Sequence, residues 1–143
     1  MSMRFAKEGC NVVITEVARP HEDPEYGRGS WEDALDRKKD IEAPGVKCLP
    51  VKCDVLIEEE VQNLVEAVVK EFGEINILVN NVGGGPPSSG GPLIDVDAAG
   101  WDEGIAVNVK GTHLCSSLEK QKTDATRPPV GVIRKEDQHV CTD

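Results

Sequence analysis

Aromatic side chains are scarce in this chain of 143 residues, which holds two Phe, two Trp and one Tyr. Large rings supply much of the burial in a domain core. Their scarcity, with an apolar share of 38%, predicts a small core and marginal stability, although the length suffices for one domain. Long apolar runs are missing too: none approaches the ~18 residues needed to span a bilayer. The start, Met1-Ser2-Met3-Arg4-Phe5-Ala6-Lys7, lacks the apolar centre of a signal peptide. No membrane partner is expected, and the cytoplasm is the expected location. Basic charge is in deficit, 16 Lys and Arg against 26 Asp and Glu, for a formal net charge of -10. Nucleic-acid binding needs a clustered basic surface, so no nucleic-acid partner is expected. A disulfide framework is also lacking. The five cysteines, at 10, 48, 53, 115 and 141, are odd in number and scattered, and read as reduced thiols. His113-x-Cys115 and His139-x-Cys141 have no second arm at ligand spacing, so no metal site is expected.

What is present is a succession of short apolar runs and one strong amphipathic pattern. Met3 to Gly9 reads as the tail of a helix stopped by glycine. Asn11-Val12-Val13-Ile14-Thr15 is β-branched and almost wholly apolar, the pattern of a strand buried on both faces in a parallel sheet. Ala18 to Ser30 has no periodicity and reads as a loop, and Trp31 to Ile41 as a short helix. Val46 to Val51 reads as a second strand, with Pro50 better suited to a strand end than to its centre. From Ile57 to Phe72, apolar residues at 57, 61, 64, 65, 68, 69 and 72 follow a 3.6-residue period. Glu58, Glu59 and Glu60 favour the positive end of that helix dipole, although Leu56 and Ile57 stand where a polar cap is usual. Gly73 ends the helix and Ile75 to Val79 predicts a third buried strand. A Gly/Pro/Ser loop from Gly83 to Pro92 follows. Asp97 is a plausible cap for a helix through Trp101, Ile105 and Val109. Periodicity fades beyond Leu118, and the polar segment 119–143 reads as a strand or a tail.

Strand, helix, strand, helix, strand is the order of a doubly wound α/β sheet. In such sheets ligands bind beyond the carboxyl ends of the strands. Glu16 ends the first strand, Asp54 follows the second, and Asn80-Asn81-Val82-Gly83 closes the third. A carboxylate at the position of Glu16 suits the hydroxyls of an adenosine ribose and repels a 2′-phosphate, favouring NAD over NADP. Read alone, Glu16 and Asp54 also fit solvated acids that begin loops.

Four stretches, in order and each at the end of a predicted strand or within a predicted helix, resemble the short-chain dehydrogenase/reductase family. Gly9-Cys10-Asn11-Val12-Val13-Ile14-Thr15-Glu16 resembles the stretch that ends in the ribose-binding acid. Cys53-Asp54-Val55 is similar to the adenine-contacting Asp-Val pair. Asn80-Asn81-Val82-Gly83 resembles the family's Asn-Asn-Ala-Gly, which lines the cofactor cleft, with Val82 in place of alanine. Trp101-Asp102 through Val107-Asn108-Val109-Lys110-Gly111-Thr112 resembles the helix whose Asn helps to hold a proton-relay water, which places that role on Asn108. The likeness covers about Met3 to Ser117. It implies a partial Rossmann-like, three-layer α/β/α domain over residues 1–118 that lacks the family's first and late strands, with 119–143 as a separate tail. It also implies NAD(P)-dependent interconversion of a small alcohol and ketone.

The sequence also departs from the family. The resemblance implies a Gly-rich turn that holds the pyrophosphate before the helix at Met3, whereas this chain starts inside that helix. Gly83-Gly84-Gly85 leads into Pro86-Pro87, which offer no amide donors. The family's acid/base is a Tyr paired with Lys four residues on; the one tyrosine, Tyr26, has Ser30 there. The chain is therefore expected to be truncated relative to the family, inactive alone and weak in NAD binding. The alternative is a non-catalytic interaction module that pairs with a full-length relative as a homo- or hetero-oligomer through helix faces or unpaired strand edges.

Overall fold

The β-branched run that ends at Glu16 forms the strand it predicts. The computed structural model describes residues 1–17, 30–84 and 92–122, and the chain divides into two units, Met1–Glu71 and Phe72–Asp143. The order in the first unit is α1 (Ser2–Lys7), β1 (Val12–Glu16), α2 (Trp31–Glu42), β2 (Cys48–Lys52) and α3 (Glu58–Phe72), the last ending at the boundary. The expected loop 18–30 lies outside the described residues except for Ser30.

Helix ends follow the local chemistry. After α1, Gly9 takes φ 86°, which costs a residue without Cβ nothing. Its N–H donates to the Ala6 carbonyl at 3.0 Å, and that of Cys10 to the Phe5 carbonyl at 3.0 Å, the pair of bonds that closes a Schellman motif. At the start of α2 the Asp33 N–H donates to Ser30 Oγ at 3.1 Å. The Ser30 N–H donates back to Asp33 Oδ2 at 2.8 Å. This is a reciprocal capping box with Asp in the usual place of Glu.

β1 and β2 form a parallel two-stranded sheet. Val12 stands opposite Cys48, Ile14 opposite Pro50 and Glu16 opposite Lys52. The sequence placed Pro50 at a strand end, yet it occupies the centre of β2. Hydrogen-bond parity explains why it is tolerated: Val12 N–H donates to the Lys47 carbonyl at 2.9 Å and Cys53 N–H to the Glu16 carbonyl at 3.0 Å. Odd-numbered residues of β2 therefore face β1, and the nitrogen of Pro50 faces the outer edge, where no donor is needed. The register also places Val12, Ile14, Cys48 and Pro50 on one face of the sheet. There Val12 and Cys48 are buried with Ala6 of α1 and Ile41 of α2, and Phe5, Ile14 and Val46 pack against them. Full burial of one such aliphatic side chain contributes about 1.5–3 kcal/mol, and this core holds few of them.

On α3 the periodic face is buried at Val61, Val65 and Val68, with Val61 fully so. The missing polar cap is replaced from the preceding turn. Leu56 N–H donates to Asp54 Oδ1 at 2.9 Å, Ile57 N–H to the Asp54 carbonyl at 3.0 Å, and Asp54 N–H to Glu60 Oε2 at 2.6 Å. Glu60 so satisfies a donor just ahead of the helix, the task a capping-box acid performs.

The second unit overturns one expectation. Ile75–Val79 forms no strand, and the sheet among the described residues has two strands rather than three. Ile77 is 55% and Val79 44% exposed. β-Branched composition favours extended backbone, but a strand needs a ladder partner, and this segment has none among the described residues. After a short 3-10 turn at Leu93–Asp95 comes α4 (Ala98–Ile105), continued by a π-helical segment at Ala106–Lys110 and by α5 (Gly111–Lys122). Asp97 caps α4 as expected: its Oδ1 accepts from Gly100 N–H at 2.7 Å. The helix continues to Lys122, past Leu118 where sequence periodicity fades; residues 123–143 lie outside the described ones.

Candidate functional site

The two parallel strands end together in the first unit, and two of the polar residues singled out from the sequence, Glu16 and Asp54, stand at that end. Glu16 and Lys52 are register partners at that edge, and Cys53-Asp54-Val55 follow, all three buried. The Glu16 carboxylate accepts one hydrogen bond, from Val17 N–H at 3.1 Å, and forms no ion pair among the described residues. An ionised carboxylate accepts about four hydrogen bonds, so Glu16 keeps capacity for hydroxyl donors. Asp54 is only 8% exposed. Its Oδ1 holds the turn into α3 through Leu56 N–H. Lys52 places its ammonium 5.0 Å from the centre of the Trp31 ring at the start of α2. Lys52 did not stand out in the sequence, because the strand register is what makes it a neighbour of Glu16, and Trp31 reaches Lys52 from α2.

In the second unit the loop after Val79 is clasped by the helix. Asn108 Nδ2 donates to the Gly84 carbonyl at 2.6 Å and to the Gly104 carbonyl at 2.8 Å. The Gly84 N–H donates to Asn108 Oδ1 at 3.3 Å. Both amide hydrogens of Asn108 are thus engaged by the chain itself. Its backbone carbonyl accepts from Thr112 Oγ1 at 2.9 Å. Asn108 lies within the π-helical segment, a helix irregularity frequent at functional sites. A Cβ on Gly83 would stand 2.7 Å from Asn108 Oδ1, so a side chain there would push the amide aside. Asn80 Nδ2 donates to Ser116 Oγ at 3.1 Å, tying the start of the loop to α5. Asn81 N–H donates to the Val79 carbonyl at 3.0 Å, and Val82 is 48% exposed. Glu16, Asp54 and Val55 therefore belong to one unit, and Asn80, Asn81, Val82, Gly83 and Asn108 to the other.

Cys48 and Cys115 are not activated nucleophiles. Burial pushes the Cys48 thiol above its ordinary value, and the Glu42 carboxylate adds to that. Burial also raises Cys115. Among the described residues no group of three His, Cys, Asp or Glu is placed to hold a metal ion. No helix there is long and apolar enough to cross a membrane.

An acceptor-only carboxylate at the carboxyl edge of a parallel sheet fits the two hydroxyl donors of an adenosine ribose. The family described as enoyl-(acyl carrier protein) reductase matches residues 1–127. The (2S)-[(R)-hydroxy(phenyl)methyl]succinyl-CoA dehydrogenase subunit BbsD of Thauera aromatica is 33% identical over 80% of this chain and 40% of its own length. The chain belongs to the short-chain dehydrogenase/reductase family. Human hydroxysteroid dehydrogenase-like protein 2 is 34% identical over 81% of this chain and 26% of its own length. Carveol dehydrogenase from Mycobacterium avium, solved in complex with NAD, superposes with a TM-score of 0.74 at 21% identity. That likeness covers 84% of this chain and 43% of that one, and it shows the Rossmann-type fold common to short-chain dehydrogenases/reductases. The chain spans less than half the length of these family members.

Proposed function

We propose that this chain forms the adenosine-binding and cleft-lining part of a short-chain dehydrogenase/reductase specific for NAD. Glu16 at the paired strand ends carries the reading: it has the register position, the spare acceptor capacity and the charge that accept ribose hydroxyls and repel a 2′-phosphate. Asp54 and Val55 shape the wall beside it, with Asp54 held by Glu60. Asn80, Asn81, Val82 and Gly83 line the cleft on the nicotinamide side. Asn108 positions that loop through its side chain, and in this reading it helps to hold a proton-relay water. When bound, NAD supplies the hydride chemistry of alcohol and ketone interconversion. The sequence given has no Tyr-x-x-x-Lys pair, so the proposal is that this chain alone binds NAD weakly and does not turn it over. Thiols at Cys10, Cys48 and Cys115 that form no disulfide suit a cytoplasmic location. Titration with NADH tests the reading: wild-type binding that Glu16→Ala weakens about tenfold supports it, where tenfold is ~1.4 kcal/mol. Equal affinity in both would contradict it, and robust turnover of any alcohol would contradict the inactivity.

A second reading is carried by a different observation. Trp101, Ile105 and Val109, four residues apart along α4 and the π-helical segment, are 52%, 45% and 56% exposed. An apolar stripe of this kind marks an interaction surface and supports a non-catalytic module that pairs with a full-length relative. Co-expression with such a relative, followed by size exclusion, separates the two readings; a monomer that never co-elutes removes the second.

A further inference from the structure

The register of the sheet sets a lysine directly beside the carboxylate that reads the ribose. Glu16 and Lys52 are partners in the parallel pair, and residues in register on parallel strands project to the same face. A Glu and a Lys so placed would ordinarily meet as an ion pair. Here they do not: among the described residues Glu16 forms no ion pair and accepts only from Val17 N–H. The Lys52 ammonium lies 5.0 Å over the centre of the Trp31 ring instead. Trp31 is the first residue of α2, fixed there by the capping box of Ser30 and Asp33. The ring is therefore delivered to the strand ends by a well-anchored helix start. An aromatic face attracts an ammonium through its quadrupole, and it offers no competing charge to Glu16.

We infer that Trp31 is a specificity-determining residue: by holding the Lys52 ammonium on its face it keeps the Glu16 carboxylate open to ribose hydroxyls, and so secures NAD over NADP. The inference rests on the assignment of Glu16 under the proposed function. Loss of the ring frees the ammonium to neutralise Glu16. The same move places a cation where a 2′-phosphate would lie, turning a repulsive edge into an attractive one. A cation–π contact at an accessible site biases such a side-chain equilibrium by roughly two- to fivefold, and the selectivity ratio should move by a factor of that size. Trp31 acts on the ligand through Lys52 and is a positioning residue rather than a catalytic one.

The test compares NADH and NADPH affinities, by titration calorimetry, for the full chain, Trp31→Ala, and Trp31→Ala with Lys52→Met. The expected result is a preference for NADH in the wild type, a shift of the affinity ratio toward NADPH by about threefold in Trp31→Ala, and return of the NADH preference in the double variant. An unchanged ratio, or an equal loss of both affinities, would overturn the inference. A ligand-free readout keeps it decidable if neither nucleotide binds the wild type, the result that would sink the assignment of Glu16 itself. The Lys52 ε-methylene protons should carry an upfield ring-current shift in the wild type that disappears in Trp31→Ala. Unshifted Lys52 protons in the wild type would refute the latch directly.

Discussion

Replacing Gly83 by alanine should break the clasp between the loop and the helix, at a cost limited by what Asn108 can lose. The added Cβ would stand 2.7 Å from Asn108 Oδ1 and 3.9 Å from Asn108 Cγ, with no other neighbour within 4 Å. The first distance is far inside van der Waals contact, so the amide must rotate away. Rotation forfeits the bonds to the Gly84 carbonyl at 2.6 Å and from the Gly84 N–H at 3.3 Å. A net ~0.5–1.5 kcal/mol per bond applies, and the exposure of Asn108 puts both at the low end, about 1–2 kcal/mol together. Removing a glycine returns about 0.4–1 kcal/mol through the unfolded chain. Gly83→Ala should therefore destabilise by about 0.5–1 kcal/mol. Gly84→Ala, whose Cβ meets nothing within 4 Å, should be neutral or slightly stabilising. The assay is urea unfolding of both variants, repeated in an Asn108→Ala background, with hydrogen exchange at the Gly84 amide. In that background Gly83→Ala should lose its penalty, a coupling of about 1 kcal/mol. An equal cost with and without Asn108 would refute the clasp.

Further outcomes follow from other parts of the chain. Val61→Ala, at a fully buried position, should cost about 2 kcal/mol in chemical denaturation, while Ile77→Ala at a 55% exposed one should stay within about 0.5 kcal/mol. Asp97→Ala should lose about 1 kcal/mol as the Gly100 N–H loses its acceptor, and Asp97→Asn should not; thermal melts distinguish them. Pro50→Val adds an N–H to the outer edge of β2, so self-association measured by light scattering should rise with little change in melting temperature. The Asp33 carboxyl is held below its ordinary value of 3.8 by the Ser30 N–H first and the Ser30 hydroxyl second. A depressed folded value means that the contribution is complete above pH ~4 and fades as pH falls through the lower folded value. Amide protection in the first turn of α2 should drop in that window, and Asp33→Asn should abolish the dependence.

Helices were the most legible part of this fold because their signals are local. The 3.6-residue period gives α3 within a residue, Gly9 and Gly73 stop the helices they follow, and Asp97 caps α4 as its residue type suggests. Strand formation is less local. Asn11–Thr15 and Val46–Val51 find each other with shifts of one or two residues, as Val12–Glu16 and Cys48–Lys52. Ile75–Val79, with an equally strong composition, finds no ladder among the described residues and stays unpaired. Pro50 sits at the centre of β2 for a related reason: whether its missing N–H matters depends on which strand edge it faces. At the site, the sequence named Glu16, Asp54 and Asn108, and the structure supplies the partners it could not: Lys52 through register, Glu60 through the turn before α3, and Gly84 through the loop opposite the π-helical segment. That segment carries no composition signal that periodicity could detect.

Titration of the purified full chain with NADH, in parallel with Glu16→Ala and with a circular dichroism melt on the same samples, tests the central claim most directly. The account predicts measurable but weak binding by a cooperatively folded wild type, and about tenfold weaker binding by an equally folded Glu16→Ala variant. No binding by a cooperatively folded wild type, or identical affinity in the variant, would contradict it.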